Sequence, residues 1–302
     1  MFETPILFLV FNRPDTTAKV FERIREISPS RLYFAADGPR AGKTEEKELC
    51  DQVRQVVNRV DWPCQVKTLF RDTNLGCKTA VSGAINWFFD YEEEGIILED
   101  DCYPSLSFFP FCKTMLDMYR DDDKIFHIAG NNFQEGQRRS SNSYYFSKYT
   151  HIWGWATWKR AWKFYELEMT SFPAWSGQPD LMDWFSSREE MNYWIKKFSK
   201  FHKHPLQMTT WDYQWLFTAW LQKGISIIPE VNLVKNLGIG SGTHTISTSN
   251  RFVIEPDELT IHSLMETQFQ INHKADLFTF KNYMIYKGSL LERIINRIKK
   301  YL

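Results

Sequence analysis

Residues 95–101 (GIILEDD) join a short apolar run to three consecutive carboxylates. The run 95–98 is typical of a buried strand, and Glu99, Asp100 and Asp101 follow at its carboxyl end. Carboxylates packed together repel one another and raise one another's pKa unless a cation neutralises them. Because hard oxygen ligands suit Mg²⁺ and Mn²⁺, which bind substrate phosphates, the stretch predicts a metal-bound diphosphate site. The alternative is a solvated turn or an acidic helix start.

Strand and helix patterns alternate around this stretch through the first 130 residues. The predicted strands are 5–12, 31–36, 64–70, 95–98 and 124–129, and the predicted helices are 16–27, 44–60, 78–91 and 105–119. This alternation predicts an α/β fold with a mostly parallel central sheet and helices on both faces. Ligands bind at the carboxyl ends of such strands, so we expect Arg13, Asp37, Lys78 and the three acids to meet at one rim.

The second half of the chain is less regular. Short strands are predicted at 144–147 and 225–228, and helical segments at 153–162, 164–210 and 211–222. The stretch 235–250 is rich in Gly, Ser and Thr, which suits a loop that closes over a ligand and excludes water. Since no linker or repeat divides the chain, we expect one domain over 1–280 with two lobes, 1–130 and 131–280.

The last residues form a separate feature. Residues 281–302 are set apart because 289–302 (SLLERIINRIKKYL) have the pattern of a basic amphipathic helix. Such a helix either docks on its own domain or makes peripheral contact with the anionic inner face of a membrane.

The bulk composition excludes some classes of function. The 302 residues contain 37 Lys plus Arg and 37 Asp plus Glu, so the chain lacks the basic surplus of a nucleic-acid-binding protein. The five cysteines show no C-x-x-C spacing, and the apolar run at 5–11 is too short to span a membrane. We therefore expect a cytoplasmic protein with no nucleic-acid partner.

Several motifs resemble those of GT-A fold glycosyltransferases in the same order along the chain. They are GIILEDD with Ser107-Phe108-Phe109, Asn12-Arg13, Asp37-Gly38, Trp153-Gly154-Trp155, Trp211-Asp212, Pro229-Glu230-Val231 and Thr243-His244. The Glu-Asp-Asp form resembles the N-acetylglucosaminyltransferase I family more narrowly, and the chain also resembles bacterial nucleotide-diphospho-sugar transferases. The resemblance implies that 1–130 is the nucleotide-sugar-binding lobe and 131–280 the acceptor and catalytic lobe.

The resemblance also implies which residues hold the donor. Arg13 and Asp37 would hold the nucleotide, with Asp37 accepting hydrogen bonds from the uracil edge. Lys78 stands where the family has a histidine near the base. Thr243 would contact the diphosphate when its loop closes.

The acids take the remaining implied roles. Glu99 and Asp100 would contact sugar and ribose hydroxyls, and Asp101 would be the single protein ligand of Mn²⁺ or Mg²⁺. Asp212 would be the general base that takes the proton of the acceptor hydroxyl, unless it only caps a helix. The family has two adjacent acids at that position, where this chain has Asp212 and Tyr213.

The expected function is inverting transfer of a sugar, with N-acetylglucosamine as the candidate, from a UDP-sugar donor to a glycan or lipid-linked acceptor in polysaccharide biosynthesis. One alternative is a nucleotidyltransferase, but that class has a glycine-rich loop where this chain has Asn12-Arg13-Pro14-Asp15. Another is a non-catalytic glycan-binding protein on a transferase scaffold. The tryptophans at 153–162 either fill a core or, for Trp153 or Trp155, lie against a sugar.

Overall fold

Alternating strands and helices form the part of the chain that the structure, a computed structural model, describes: residues 1–239, 252–262 and 269–285. The strands are β1 (Ile6–Val10), β2 (Arg31–Ala36), β3 (Gln65–Phe70), β4 (Glu94–Glu99), β5 (Cys102–Pro104), β6 (Ile125–Ala129), β7 (Tyr144–Ser147), β8 (Trp155–Trp158), β9 (Ile225–Pro229) and β10 (Val234–Asn236). The α-helices are α1 (Pro14–Ile27), α2 (Thr44–Gln55), α3 (Gly76–Phe89), α4 (Phe108–Met118), α5 (Lys159–Trp162), α6 (Phe172–Ser176), α7 (Arg188–Lys203), α8 (Asp212–Leu221) and α9 (His273–Thr279). A π-helical turn, Phe280–Met284, follows α9.

Eight strands form one sheet in the order β3-β2-β1-β4-β8-β6-β9-β7, and β5 pairs with β10 in a separate ribbon. Strands β1 to β4, β6 and β9 share one direction, whereas β7 and β8 run against their neighbours. The predicted α/β fold with a mostly parallel sheet is therefore confirmed. All strands of the shared direction end at one edge, which is where ligands bind in such folds.

The sheet is buried on both faces because its central strands are mostly apolar, and β1 is apolar at every position. In β1, Ile6 and Phe8 belong to a core shared with α1 and α4, whereas Leu7 and Leu9 belong to a core shared with α3 and α8. Adjacent side chains of a strand point to opposite faces, so one apolar run supplies both cores. Each fully buried side chain of this size contributes about 1.5–3 kcal/mol.

The tryptophan-rich stretch 153–162 was wrongly predicted to be helical from its start. Residues Trp155–Trp158 form strand β8 between β4 and β6, and only the single turn Lys159–Trp162 is helical. Trp155 packs in one core and Trp158 in the other, which is the period of a strand. Gly154, at φ +63°, precedes the strand, and its carbonyl accepts a 2.7 Å hydrogen bond from Gly130 N. The short strands β5 and β10 were not predicted at all.

The C-terminal predictions are not tested by the described residues. Helix 289–302 and the loop residue Thr243 lie outside them. Among the helices that the structure describes, none is both long enough and apolar enough to cross a membrane. The division into lobes and the peripheral membrane contact remain predictions.

A buried ion pair ties α7 to the chain that follows β7. Lys148 Nζ lies 3.0 Å from Glu190 Oε1, and neither side chain is exposed. Lys148 Nζ also donates to the Trp184 carbonyl at 3.1 Å. Glu190 accepts hydrogen bonds from Tyr149 Oη and from Ser186 N, so both charges are compensated on all sides.

His127 is a buried histidine held in its neutral form. Its Nε2 donates to the His151 carbonyl at 2.8 Å, and its Nδ1 accepts from Trp215 Nε1 at 3.2 Å. Burial lowers the pKa of His127 to about 3. Because the carbonyl of His151 requires a donor and the indole requires an acceptor, only one neutral tautomer satisfies both neighbours.

Exchange of this histidine is expected to change how stability depends on pH. Below about pH 6.5 the unfolded chain protonates His127, whereas the folded protein does not until about pH 3. The free energy of unfolding therefore falls as the pH drops from 7 to 5, and one such histidine accounts for about 2 kcal/mol of the fall. In urea titrations of His127→Gln we expect the fall to be smaller by that amount. The exposed His204→Gln serves as control, and equal falls in all three proteins would contradict the prediction.

Candidate active site

A cavity of about 740 Å³ opens at the carboxyl edge of the sheet, within the size range of ligand pockets. Most of the predicted site residues line it, namely Arg13, Asp37, Glu99, Asp100, Asp101 and Asp212. Arg13 follows β1, Asp37 follows β2, and the three acids end and follow β4. The convergence comes from the parallel sheet, because residues far apart in sequence leave adjacent strands at the same edge.

The three acids of the cavity have different surroundings. Asp100 is 2% exposed, accepts from Phe11 N at 3.2 Å and pairs with Arg13 Nη2, so it joins the end of β4 to the end of β1. Asp101 Oδ2 accepts from Arg13 Nη1 at 2.9 Å. Arg13 thus spans two neighbouring carboxylates with its planar fork.

Glu99 is the unpaired member of the three. Within the described residues its carboxylate has no hydrogen-bond or ion-pair partner. Burial, with the charges of Asp101 and Asp100, raises the pKa of Glu99 to about 8. Burial also raises the pKa of Asp100 to about 6, although the charge of Arg13 opposes the rise. One guanidinium therefore does not neutralise the cluster.

Asp37 lines the cavity and also holds two elements of the fold together. Its carboxylate accepts from Leu75 N at 3.0 Å, Gly76 N at 3.1 Å and Asn74 Nδ2 at 2.9 Å. These contacts fasten the start of α3 to the end of β2 and use most of the lone pairs that the resemblance assigned to a uracil edge. The neighbouring Gly38 has no room for a Cβ atom, which would lie 2.4 Å from the Thr73 carbonyl carbon.

Asp212 opens α8 and lines the same cavity, but it does not cap that helix. The N-cap of α8 is Trp211, and no side chain makes a cap hydrogen bond there. Asp212 Oδ1 is buried and lacks a hydrogen-bond partner in the described part of the chain. Burial raises the pKa of Asp212, against the opposing effect of the nearby Thr210 hydroxyl. A buried carboxylate with one unpaired oxygen and a raised pKa is the state expected of a general base.

Two predicted donor residues are not among those that line the cavity. Lys78 lies in the first turn of α3 and points elsewhere, with its Nζ 3.2 Å from Glu168 Oε1 and 3.2 Å from the Pro205 carbonyl. Thr243 falls outside the described residues. The chain approaches the acids just before that point, because Leu237 N donates to the Asp101 carbonyl at 2.7 Å. A Cβ atom on Gly238 would lie 2.5 Å from Asp101 Oδ2 and 2.9 Å from Arg13 Nη1, so a larger residue there would displace the ends of these two side chains.

Arg71 is a cavity residue that the sequence analysis missed. It follows β3 directly, as Arg13 follows β1, and lines the same cavity as Asp37. Its guanidinium has no hydrogen-bond, ion-pair or ring partner among residues 1–239, 252–262 and 269–285. Burial lowers the pKa of Arg71, partly offset by the charge of Asp37. Its position after a strand end was a usable signal.

The oxygen atoms that the cavity offers as metal ligands suit a hard divalent cation. Carboxylate oxygens are the ligands that Mg²⁺ and Mn²⁺ take, and the raised pKa of Glu99 marks an excess of negative charge. Among the described residues, no group of three or more His, Cys, Asp or Glu side chains is arranged to hold a metal by itself. A cation held by Asp101 would thus need oxygens from a ligand or water, and Arg13 Nη1 would have to release Asp101 Oδ2.

Comparison with known proteins yields distant structural likenesses. No protein-family model and no curated protein sequence matches the chain. A structure of apo UDP-glucose pyrophosphorylase is 7% identical with a TM-score of 0.39, and the alignment covers 78% of this chain and 93% of that one. A 4-diphosphocytidyl-2C-methyl-D-erythritol synthase from Anaerococcus prevotii is 7% identical with a TM-score of 0.34, and the alignment covers 65% of this chain and 96% of that one. HddC from Yersinia pseudotuberculosis is 11% identical with a TM-score of 0.30. That alignment covers 43% of this chain and 58% of HddC, which is less than two thirds of its length.

At 7–11% identity and TM-scores of 0.30–0.39, these likenesses say nothing about the function of this chain. The resemblance to the N-acetylglucosaminyltransferase I family likewise remains a prediction, since no family model supports it.

Proposed function

We propose that the protein is a glycosyltransferase that moves a sugar from a nucleoside diphosphate donor, UDP in the first instance, to an acceptor hydroxyl. The observation that carries the proposal is that one cavity holds the three acids at the end of β4 together with Asp212 from a separate element. Asp212 opens α8, and its Oδ1 is unpaired among the described residues. Such an arrangement suits a metal-bound anionic leaving group at the strand-end acids and a base at Asp212.

The proposed reaction is a single displacement with inversion. The acceptor oxygen attacks the anomeric carbon while Asp212 takes its proton, and the bond from that carbon to the diphosphate breaks. A bound Mn²⁺ or Mg²⁺ would supply neutralisation of the leaving diphosphate. Arg13 and Arg71, two of the arginines that line the cavity, would bind donor phosphates or carbonyl groups.

A nucleotidyltransferase would use a similar sheet, and the connection after β1 counts against it. Residues Phe11, Asn12 and Arg13 lead straight into α1, with no glycine that would let a backbone loop wrap a triphosphate. The acceptor is proposed to be a glycan or a lipid-linked sugar, and N-acetylglucosamine is the first donor sugar to test.

A donor screen tests the proposal. The protein is incubated with UDP-, GDP-, CDP- and dTDP-sugars and Mn²⁺, and released nucleoside diphosphate is measured. We expect slow hydrolysis of one donor and faster release with an acceptor present. Parallel reactions contain nucleoside triphosphates and sugar 1-phosphates. Release of pyrophosphate there, with no hydrolysis of any sugar nucleotide, would overturn the proposal in favour of nucleotidyl transfer.

Removal of the Arg71 guanidinium is expected to weaken donor binding without weakening the fold. A hydrogen bond to a charged group contributes about 1.5–3 kcal/mol, so Arg71→Met should lower the affinity for UDP about 10- to 150-fold. The melting temperature should stay or rise, because this half-buried guanidinium makes no hydrogen bond or ion pair among the described residues. Calorimetric titration with UDP gives the affinity. Arg59→Met, an exposed arginine paired with Glu22, is the control, and equal UDP affinities would remove Arg71 from the donor site.

A further inference from the structure

One end of the cavity is built from aromatic rings that come from four separate parts of the chain. Phe133, Trp153, Phe252 and Tyr283, here called the aromatic quartet, all line the cavity. Phe133 stacks on Tyr283 with 4.6 Å between ring centroids and meets Trp153 edge-on at 5.2 Å. Phe252 meets Tyr283 at 5.5 Å and Trp153 at 6.2 Å, which closes the group.

The sheet order separates this end from the donor end. Arg13, Asp37 and Arg71 follow β1, β2 and β3, on one side of the acids of β4. Phe133 follows β6, and Trp153 lies just before β8, on the other side of β4. The acids therefore stand between a cationic half of the cavity and an aromatic half, and a donor held by the first half leaves the second for another molecule.

Two polar groups in the aromatic half have no partner. Asn131 is fully buried, its Oδ1 accepts from Trp153 N at 3.2 Å, and its Nδ2 has no hydrogen bond within the described residues. Thr150 Oγ1 is buried and also lacks a partner there. Both residues line the cavity. Buried polar atoms are nearly always hydrogen-bonded, so two such atoms beside one cavity call for a ligand that supplies the bonds.

We infer that the aromatic half binds a saccharide ring as acceptor, with the aromatic quartet against its C–H face and with Asn131 and Thr150 on its hydroxyls. The acceptor role rests on the proposed function. Each polar group has a different need: the amide Nδ2 only donates, whereas the threonine hydroxyl both donates and accepts. A sugar hydroxyl meets both needs. A lipid chain would satisfy neither, and a purely polar ligand would gain nothing from four rings.

Exchange of Thr150 shows whether its hydroxyl contacts a ligand or stabilises the fold. Thr150→Val keeps the shape of the side chain and removes a hydroxyl that bonds to nothing in the described protein. Its removal should therefore leave the melting temperature unchanged or higher. Ser226→Ala is the matched control, because Ser226 Oγ on β9 is also buried and unpartnered but does not line the cavity.

Saturation-transfer NMR on the whole chain tests the inference without any need for turnover. The probes are methyl glycosides of N-acetylglucosamine, glucose, galactose and mannose, with cyclohexanol as a ring of similar size that has one hydroxyl. We expect at least one glycoside to bind more tightly than cyclohexanol. Thr150→Val should weaken it about three- to tenfold, as loss of one hydrogen bond does, and Trp153→Leu about tenfold. Ser226→Ala should bind as the unmodified protein does.

The same samples receive UDP, which tells the two proposals apart. UDP binding with no glycoside binding overturns the saccharide subsite and leaves the transferase proposal standing. Glycoside binding that Thr150→Val and Trp153→Leu leave unchanged also overturns the subsite, because the sugar then binds elsewhere. Glycoside binding that both variants weaken, with no binding of any nucleotide, supports the subsite and makes the protein a glycan-binding one instead of a transferase.

Discussion

Replacement of Asp212 by asparagine is expected to lower the rate of sugar transfer about 10²- to 10⁴-fold while donor affinity stays within about twofold. The carboxylate is the proposed base, and an amide of the same shape cannot take a proton. The fold should tolerate the change, because Asp212 Oδ1 makes no hydrogen bond in the described part of the chain and burial already penalises its charge. Melting temperatures of the two proteins should therefore agree, or the variant should melt higher.

The measurement is release of nucleoside diphosphate from the donor that the screen identifies, with and without an acceptor glycoside. Asp276→Asn is the control, because Asp276 is also a buried carboxylate, bonded to Ser147 Oγ at 2.5 Å and to Lys148 N at 3.2 Å, and it does not line the cavity. Equal rates in Asp212→Asn and the unmodified protein would eliminate Asp212 as the base. A parallel loss of donor affinity would instead make Asp212 a donor contact.

The pH dependence of transfer gives a second readout of the same residue. A base works only when it is deprotonated, so the rate should rise with pH through the titration of Asp212. Burial raises the pKa of this carboxyl, which moves the rise upwards from the range of an ordinary aspartate. The rise should be absent from the residual activity of Asp212→Asn.

The sheet could be predicted from sequence because its strands carry their own signal. Strands β1 and β4 are continuous apolar runs, and their burial on both faces follows from that pattern alone. Arg13, Asp37 and the acids could be placed at one rim for the same reason. The strand Trp155–Trp158 could not be predicted, because a run of four residues fits a helix turn as well as a strand. It is a strand because it pairs with β4 and β6 in the folded protein.

The contacts of the individual site residues could not be predicted from spacing. Asp37 meets backbone N–H groups at Leu75 and Gly76, which are close only because β2 and α3 are adjacent in the fold. Lys78 contacts Glu168 and the Pro205 carbonyl, which lie about 90 and 127 residues further along the chain and are close to it only in the fold. Asn131 and Thr150 have unpaired polar atoms only because of how the chain packs around them, and no sequence pattern predicts this.

Exchange of Lys148 for methionine is expected to lower the free energy of unfolding by about 3–5 kcal/mol, the cost of leaving a buried charge without its partner. Both Glu190 oxygens lie within 3.1 Å of Lys148 Nζ, and both side chains are fully buried. Solvent cannot replace the lost ammonium at that depth. Urea unfolding at pH 7 measures the change, and the exposed pair Lys47–Asp51 supplies the control, since Lys47→Met should cost under about 0.5 kcal/mol.

The double variant Lys148→Met/Glu190→Gln distinguishes a charge effect from a packing effect. Glutamine can accept from Ser186 N through its amide oxygen and donate to Tyr149 Oη through its amide nitrogen, and no charge remains, so part of the lost stability should return. If the double variant loses as much free energy of unfolding as Lys148→Met and Glu190→Gln lose together, Lys148 does not stabilise the fold through the ion pair. The network bears on the site because Trp194, a cavity residue on α7, donates to Tyr149 Oη at 3.2 Å. Loss of the pair should therefore weaken glycoside binding more than UDP binding, since Thr150 follows Tyr149 directly and the donor residues lie beyond β4.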